Sequence, residues 1–249
     1  MSGIPKILHF VWIGDESRRP DNCIQTWEKH HPDFEIRLWG NHEYETRNWR
    51  TKHHMDEFRR QSDICGAADL MRWEILLDQG GIALDADSVS LHVMPEWLLS
   101  CTAFACWENE LMSPGLIANG YVGCHSGDPL IRHIVGHCER STELVFRREW
   151  FGLRRRKVAS WKTVGPKAIT DAFYEIGYDP LTILPSHFFI PKHLSGQFYS
   201  GSGPVYSNQL FASTNENLYG ALYEQSADSL ADMNPAEAAA TMGNHQPSD

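Results

Sequence analysis

Four side chains within about twenty residues have the types and spacing for chemistry: Asp69, Arg72, Asp85 and Asp87. Residues two apart on an extended chain point to the same side at roughly 3.3 Å per residue, so Asp85 and Asp87 are expected to address one site about 6 to 7 Å across. Two unit charges about 5 Å apart at an effective dielectric of about 20 repel by roughly 3 kcal/mol. An unpaired couple of this kind raises one of its own pKa values. A divalent cation removes the conflict. Mg²⁺ and Mn²⁺ prefer oxygen ligands, and Mg²⁺ takes one or two carboxylates while water and substrate phosphates fill the other positions. The plain alternative is a surface turn with two solvated acids, because Asp-x-Asp is a common string. Asp69 and Arg72 stand three apart on one helix face. They form either a simple ion pair or an acceptor for sugar hydroxyls beside a cation for a diphosphate.

These side chains need a frame. Ile64, Ala68, Met71 and Ile75 recur at helical spacing and predict an amphipathic helix that stops at Gly80. A turn through Gly81 and a short strand Ile82 to Leu84 then deliver the acids. Upstream, residues 6 to 13 are rich in β-branched and aromatic types and predict a first strand ending at Gly14. Pro20 and Asp21 open a helix to about His31, and Phe34 to Trp39 make a second strand. Downstream the pattern predicts a short helix over Pro95–Leu99, strands over 103–107 and 117–122, and a helix from Gly165-Pro166 to about Tyr174. Strand and helix alternating from the start imply an α/β fold with a Rossmann-like, mostly parallel central sheet flanked by helices.

The run Ala68-Asp69-Leu70-Met71-Arg72, then Gly80-Gly81, then Leu84-Asp85-Ala86-Asp87 resembles glycosyltransferase family 32. These are the DXD sugar transferases of capsule and lipopolysaccharide synthesis and of yeast outer-chain mannosylation. The run is also similar to the catalytic core of the large clostridial glucosylating toxins. Ile4 to Gly14, Val164-Gly165-Pro166 and Ile183 to Pro191 are similar to further landmarks of the family. The resemblance spans roughly residues 4 to 224 and implies a GT-A fold, a nucleotide-sugar donor and retention of anomeric configuration. It implies that Asp87 ligates Mn²⁺ or Mg²⁺, that Asp85 holds the ribose and the metal, and that Asp69 and Arg72 serve the donor sugar and phosphate. Val11 and Trp12 stand where the toxins place Val-Trp against uracil, and Asn119 stands where an Asn approaches the transferred sugar. By composition alone Trp12 is equally a core aromatic, and Asn119 equally a turn residue. The family's Tyr-x-x-His, whose His helps to hold the metal, reads Tyr206-Ser207-Asn208-Gln209 here, so Gln209 takes the ligand position with an amide oxygen.

Two rivals remain open. Leu84-Asp85-Ala86-Asp87-Ser88-Val89 also fits the nucleophile motif of haloacid-dehalogenase-like phosphatases, although that motif normally opens its fold. A non-catalytic nucleotide-sugar binding module is the other, with Gln209 as its support.

The whole chain of 249 residues suits one GT-A domain over 1–225, followed by an Ala-rich polar tail over 226–249 that is expected to be disordered. A net charge of -10 argues against nucleic-acid coating. Six cysteines without paired metal or disulfide spacing read as mostly buried thiols of a reducing compartment. No run approaches the roughly 20 apolar residues of a membrane span, so a cytoplasmic protein is expected. Against the acidic whole, residues 146–162 concentrate seven positive charges against Glu149, with Trp150, Phe151 and Trp161 interleaved. That stretch is a solvated face, a peripheral contact with anionic membrane carrying a lipid-linked acceptor, or a dock for an acidic glycan.

Overall fold

A computed structural model describes residues 3–149, 154–212 and 224–232. The chain runs β1 (Ile7–Val11), α1 (Asp21–His30), β2 (Glu35–Trp39), α2 (Asn41–Thr46), α3 (Lys52–Arg60), α4 (Ile64–Gln79), β3 (Gly81–Leu84) and β4 (Ser88–Ser90). It continues through β5 (Ala103–Asn109), β6 (Ser113–Ile117), β7 (Tyr121–Cys124), α5 (Pro129–Arg140), β8 (Phe146–Glu149) and β9 (Arg154–Lys157). Then come α6 (Pro166–Ile176), β10 (Leu181–Leu184), β11 (Ser207–Gln209) and α7 (Ala227–Ala231).

The central sheet has the order β10-β5-β7-β3-β1-β2, with β6 added to β5. Strands β2, β1, β3, β5 and β10 run one way, and β7 and β6 run the other. The sheet is therefore mostly parallel, as expected, with one reversed strand between β3 and β5. Each face has its own core. Leu8 and Phe10 of β1 and Phe104 of β5 pack with Trp27, Tyr121 and Phe189 on one side. Val11, Ala83 and Ala105 pack with Trp73, Met71, Ile134 and Ile169 on the other. That alternation is the strand period of two.

The predicted apolar stripe on α4 is only part of what is buried. Ile64 is exposed, whereas Leu70, Trp73, Glu74, Leu76 and Leu77 are buried along with Met71 and Ile75. The reason is packing: α3 and α5 both lie against α4, so more than one face is covered. Glu74 is satisfied there by the backbone N–H groups of Arg50 and Thr51 and by the Thr51 hydroxyl. The helix ends as its sequence dictates, at Gly80 (φ +64°) followed by Gly81 (φ +91°). A Cβ on Gly81 would stand 2.8 Å from the carbonyl oxygen of Ile7 and 2.9 Å from Nε2 of His9. His9, buried on β1, locks this turn: one ring nitrogen meets the Gly80 carbonyl at 2.8 Å and the other accepts from the Trp39 indole at 3.1 Å. Burial holds the imidazole down at about 4, and so neutral.

Two expectations are corrected. The strand predicted over 117–122 is split, β6 ending at Ile117 and β7 starting at Tyr121, so Asn119 lies in the connection. The helix expected over Pro95–Leu99 is a 3-10 segment over Glu96–Ser100. At the C-terminal end, α7 falls inside the expected tail, with Leu230 buried and Asp228 paired to Lys29 of α1 at 3.0 Å. Residues 233–249 lie outside the described residues, as do Trp150 and Phe151. All six cysteines are free thiols. Among the described residues no helix is long and apolar enough to cross a membrane.

Candidate active site

Ligands of open α/β sheets sit at the carboxyl ends of the parallel strands, and the predicted residues gather there. Phe10 of β1 is level with Leu84 of β3, so Val11 ends its strand, and Trp12 leaves the sheet, at the end where Asp85 follows β3. The loop after them is fixed by Asn41, whose side-chain amide donates to the Gly14 carbonyl and accepts from the Gly14 N–H, both at 2.8 Å. Trp12 is half-buried, and its indole N–H donates to the Asp15 carbonyl at 2.9 Å.

Asp85 and Asp87 share a site because of a turn, which corrects the expectation of an extended pair. The Asp85 carbonyl accepts from the Ser88 backbone N–H at 3.1 Å and from the Ser88 hydroxyl at 2.6 Å, closing the loop between β3 and β4.

Around Asp85 lies the first cluster. Arg72, buried on α4, donates to the Asp85 carboxylate and, at 2.6 Å, to the Asn119 carbonyl, and lies 3.6 Å from Asp69. The Asn119 amide donates to Asp69 at 2.7 Å. Asp69, Arg72, Asp85 and Asn119 therefore form one network from three elements. Gly120 makes room for it: a Cβ there would stand 2.5 Å from Oδ2 of Asp85. Burial pushes Asp69 up to about 7; Arg72 pulls it back and the charge of Asp85 adds to the rise. Arg72 Nε is buried without a partner among the described residues.

Asp87 belongs to the second cluster, built by the β4–β11 ribbon in which Gln209 stands opposite Ser88. Gln209 Nε2 donates to Asp87 Oδ1 at 2.9 Å, and the Ala212 N–H donates to Oδ2 at 2.7 Å. Phe211, with φ +51°, occupies the left-handed region that side chains rarely adopt and turns the chain so that Ala212 can reach. Burial, then the negative charge of Asp85, raise the Asp87 pKa, opposed by the Ala212 and Gln209 hydrogen bonds. Gln209 is thus beside the acid pair, as its sequence position implied, but it turns its nitrogen to Asp87. Its oxygen accepts from the Tyr121 hydroxyl at 2.8 Å. An ionised carboxylate only accepts, so this amide orientation follows from charge.

Sequence reasoning passed over Glu108, Tyr121 and Ala212. Glu108 ends the apolar run of β5 at a bulge in its pairing with β6, and burial, aided by the charge of Asp85, pushes it up to about 7. The signal was an acid closing an apolar strand; Tyr121 and Ala212 carried none.

A family model described as "Glycosyltransferase sugar-binding region containing DXD motif" matches residues 17–103, which hold Asp69, Arg72, Asp85 and Asp87. No curated protein matches the sequence. Among solved structures, the UDP-bound glycosyltransferase domain from the YGT toxin is similar at a TM-score of 0.53 and 9% identity, over 95% of this chain and 88% of that one. The ligand-free form of that toxin domain gives 0.50 and 9%, over 74% and 80%. At such identities the likeness speaks for the fold, while the match over 17–103 speaks for the DXD region. A DXD glycosyltransferase region over residues 17–103 is thus carried on a GT-A fold.

Proposed function

We propose that the protein transfers a sugar from a nucleotide-diphosphate sugar, UDP-linked in preference to GDP-linked, to a glycan or lipid-linked acceptor in surface polysaccharide synthesis. It does so with retention, as a member of family 32, using Mn²⁺ or Mg²⁺. The observation that carries this reading is the asymmetry of the acid pair: Asp85 has a guanidinium partner, and Asp87, among the described residues, is hydrogen-bonded by neutral donors.

The residues fit a hard divalent cation. Among the described residues no cluster of three or more His, Cys, Asp or Glu side chains is arranged for a metal. Asp87 and Asp85 would hold such an ion, since a hard divalent cation needs only one or two protein carboxylates. When bound, such an ion neutralises the charge that grows on the leaving nucleotide. Gln209 orients Asp87 and would have to flip its amide to become a ligand. Arg72 anchors the Asp85 carboxylate, and Asp85 is the candidate partner for the ribose hydroxyls. Asp69, positioned by Asn119, accepts from donor-sugar hydroxyls, and Val11 with Trp12 forms the platform for the base, where stacking is worth roughly 1 to 3 kcal/mol.

The test is isothermal titration with a panel of UDP- and GDP-sugars, with Mn²⁺ and with chelator, on the native protein and Asp87→Ala. Metal-dependent binding of one donor, weakened about a hundredfold or more in the variant, is expected. Absence of binding for every donor with Mn²⁺ or Mg²⁺ present would sink the reading. Free phosphate from a phosphomonoester, instead of nucleotide diphosphate from a sugar nucleotide, would favour the phosphatase.

A further inference from the structure

The arginine-rich stretch folds as an antiparallel ribbon, β8 with β9, whose register sets Arg147 opposite Arg156 and Arg148 opposite Arg155. Like charges directly opposite each other on a ribbon are destabilising. Arg147, Arg148 and every residue from Arg154 to Lys157 are exposed. Most cations elsewhere have a carboxylate within reach, as in Lys6–Asp33, Arg47–Asp78, Arg59–Glu45 and Lys167–Asp171. Among the described residues no such pair engages Arg147, Arg148, Arg154 or Arg155. The ribbon's apolar side chain, Phe146, is half-buried with the Arg155 guanidinium 4.8 Å over its ring. Two guanidinium groups held opposite each other, as in Arg148 and Arg155, would be stabilised by an anion bound between them.

Its place in the fold says what that anion belongs to. The turn after β9 is pinned to one face of α4 at three points. A Cβ on Gly66 would stand 2.8 Å from the Ser160 Cβ, a Cβ on Gly165 would stand 3.1 Å from Oδ2 of Asp69, and the Trp73 indole donates to the Val164 carbonyl at 2.6 Å. The face that carries Asp69 into the active site thus carries Trp161 too. Trp161 is 48% exposed, with the Lys162 ammonium 4.9 Å over its ring. Exposed aromatic rings pack against sugars, and cations beside them take acidic groups. An anionic acceptor approaching a protein of net charge -10, and an acid-lined site, is repelled unless a local cationic surface receives it.

Resting on the transferase reading above, we propose that the β8–β9 ribbon and the Trp161–Lys162 turn dock an anionic glycan acceptor, with its carboxylate or phosphate groups on the arginines and a sugar ring on Trp161. A glycan is favoured over a bilayer because the exposed Trp161, a ring that can carry a sugar, and Asp69 of the active site both lie against Gly165.

The test measures binding of oligogalacturonate, a carboxylate-bearing oligosaccharide, alongside neutral dextran and phosphatidylglycerol vesicles. It uses the full chain, Arg148→Glu with Arg155→Glu, and Trp161→Ala. Arg59→Glu with Arg60→Glu, the same change in charge on another surface, is the control, and sugar-nucleotide binding reports folding in each. Expected are oligogalacturonate binding at least tenfold weaker in the ribbon and Trp161 variants, little change in the control, no dextran binding, and intact donor binding throughout. Binding indifferent to the ribbon or to Trp161, absent altogether, or confined to vesicles would overturn the docking proposal while leaving the donor site standing. Absence of donor binding in the native protein would instead remove the transferase reading, and the acceptor role with it.

Discussion

The two halves of the acid pair are held in opposite ways. Asp85 sits against a buried guanidinium that arrives from the preceding helix, and Gly120 leaves its second oxygen room. Asp87 sits against an amide and a backbone N–H that arrive more than a hundred residues later, and among the described residues no cation hydrogen-bonds to it. Asp85 has a guanidinium against it, whereas Asp87, buried beside an amide and a backbone N–H, has its pKa raised by burial and by the charge of Asp85. The difference teaches that the pair is not two equal ligands. Asp85 is already compensated, and Asp87 is the charge that gains most from a cation.

Removing the compensation should have the largest effect. Arg72→Ala leaves Asp85 and Asp69 without their cation and the Asn119 carbonyl without a donor. Breaking a buried pair from one side costs about 3 kcal/mol, which in a domain of this size lowers the Tm by roughly 6 to 12 °C. Asp85 then resembles Asp87 in being uncompensated, and donor binding is lost with it. Calorimetry reads the first effect and titration the second; a Tm unchanged within about a degree would break the comparison.

Gly120→Ala acts on the same side by shape alone. The new Cβ would come within 2.5 Å of Asp85 Oδ2, so the carboxylate must move off its place against Arg72. Overpacking of this kind costs about 1 to 3 kcal/mol. Donor affinity is expected to fall about tenfold, with metal dependence retained because Asp87 is untouched. A loss of metal dependence would show that Asp85, not Asp87, is the principal ligand.

Gln209→Leu acts on the other side. It removes a hydrogen bond that opposes the rise of the Asp87 pKa and leaves the Tyr121 hydroxyl without its acceptor. The Asp87 pKa should rise further, so the acid limb of metal-dependent donor binding moves to higher pH, with a stability loss of about 1 to 3 kcal/mol. An acid limb that moves to lower pH would overturn the role given to this amide.

The same asymmetry decides what could be read from sequence. The Asp69, Arg72 and Asp85 cluster was legible because helix, Gly-Gly turn and strand are contiguous, and local spacing carries such geometry. The lock on Asp87 was not. Position 209 was placed by resemblance, yet the direction of its amide depends on Tyr121, and the Ala212 contact depends on the left-handed Phe211. Neither is a matter of propensity. The central strands were legible for the same local reason, while the break at Ala118 to Gly120 came from a long-range demand. Asp85 donates its N–H to the Gly120 carbonyl at 3.1 Å, Gly120 makes room for the Asp85 carboxylate, and Asn119 reaches Asp69. α4 looked amphipathic because its covering by α3 and α5 is tertiary.

The smallest expected effect on the fold has a sign opposite to that on function. Asp69 is held near 7 chiefly by burial, above its ordinary value of 3.8. A carboxyl raised in the folded state binds its proton more tightly there than when unfolded. Stability from this group is therefore fully present below about pH 4 and is lost as pH rises through about 7. A shift of this size corresponds to at most about 4 kcal/mol. Asp69→Asn keeps an oxygen to accept from Asn119 and carries no charge to bury. It should gain about 1 to 2 kcal/mol at pH 8, little or nothing at pH 4, and lose most of the donor-sugar affinity. Thermal unfolding at the two pH values checks the sign. A variant less stable than the native protein at pH 8 would mean that Arg72 needs the Asp69 charge more than burial opposes it, and the contrast between a compensated and an uncompensated acid would then extend to Asp69 as a second partner of the guanidinium.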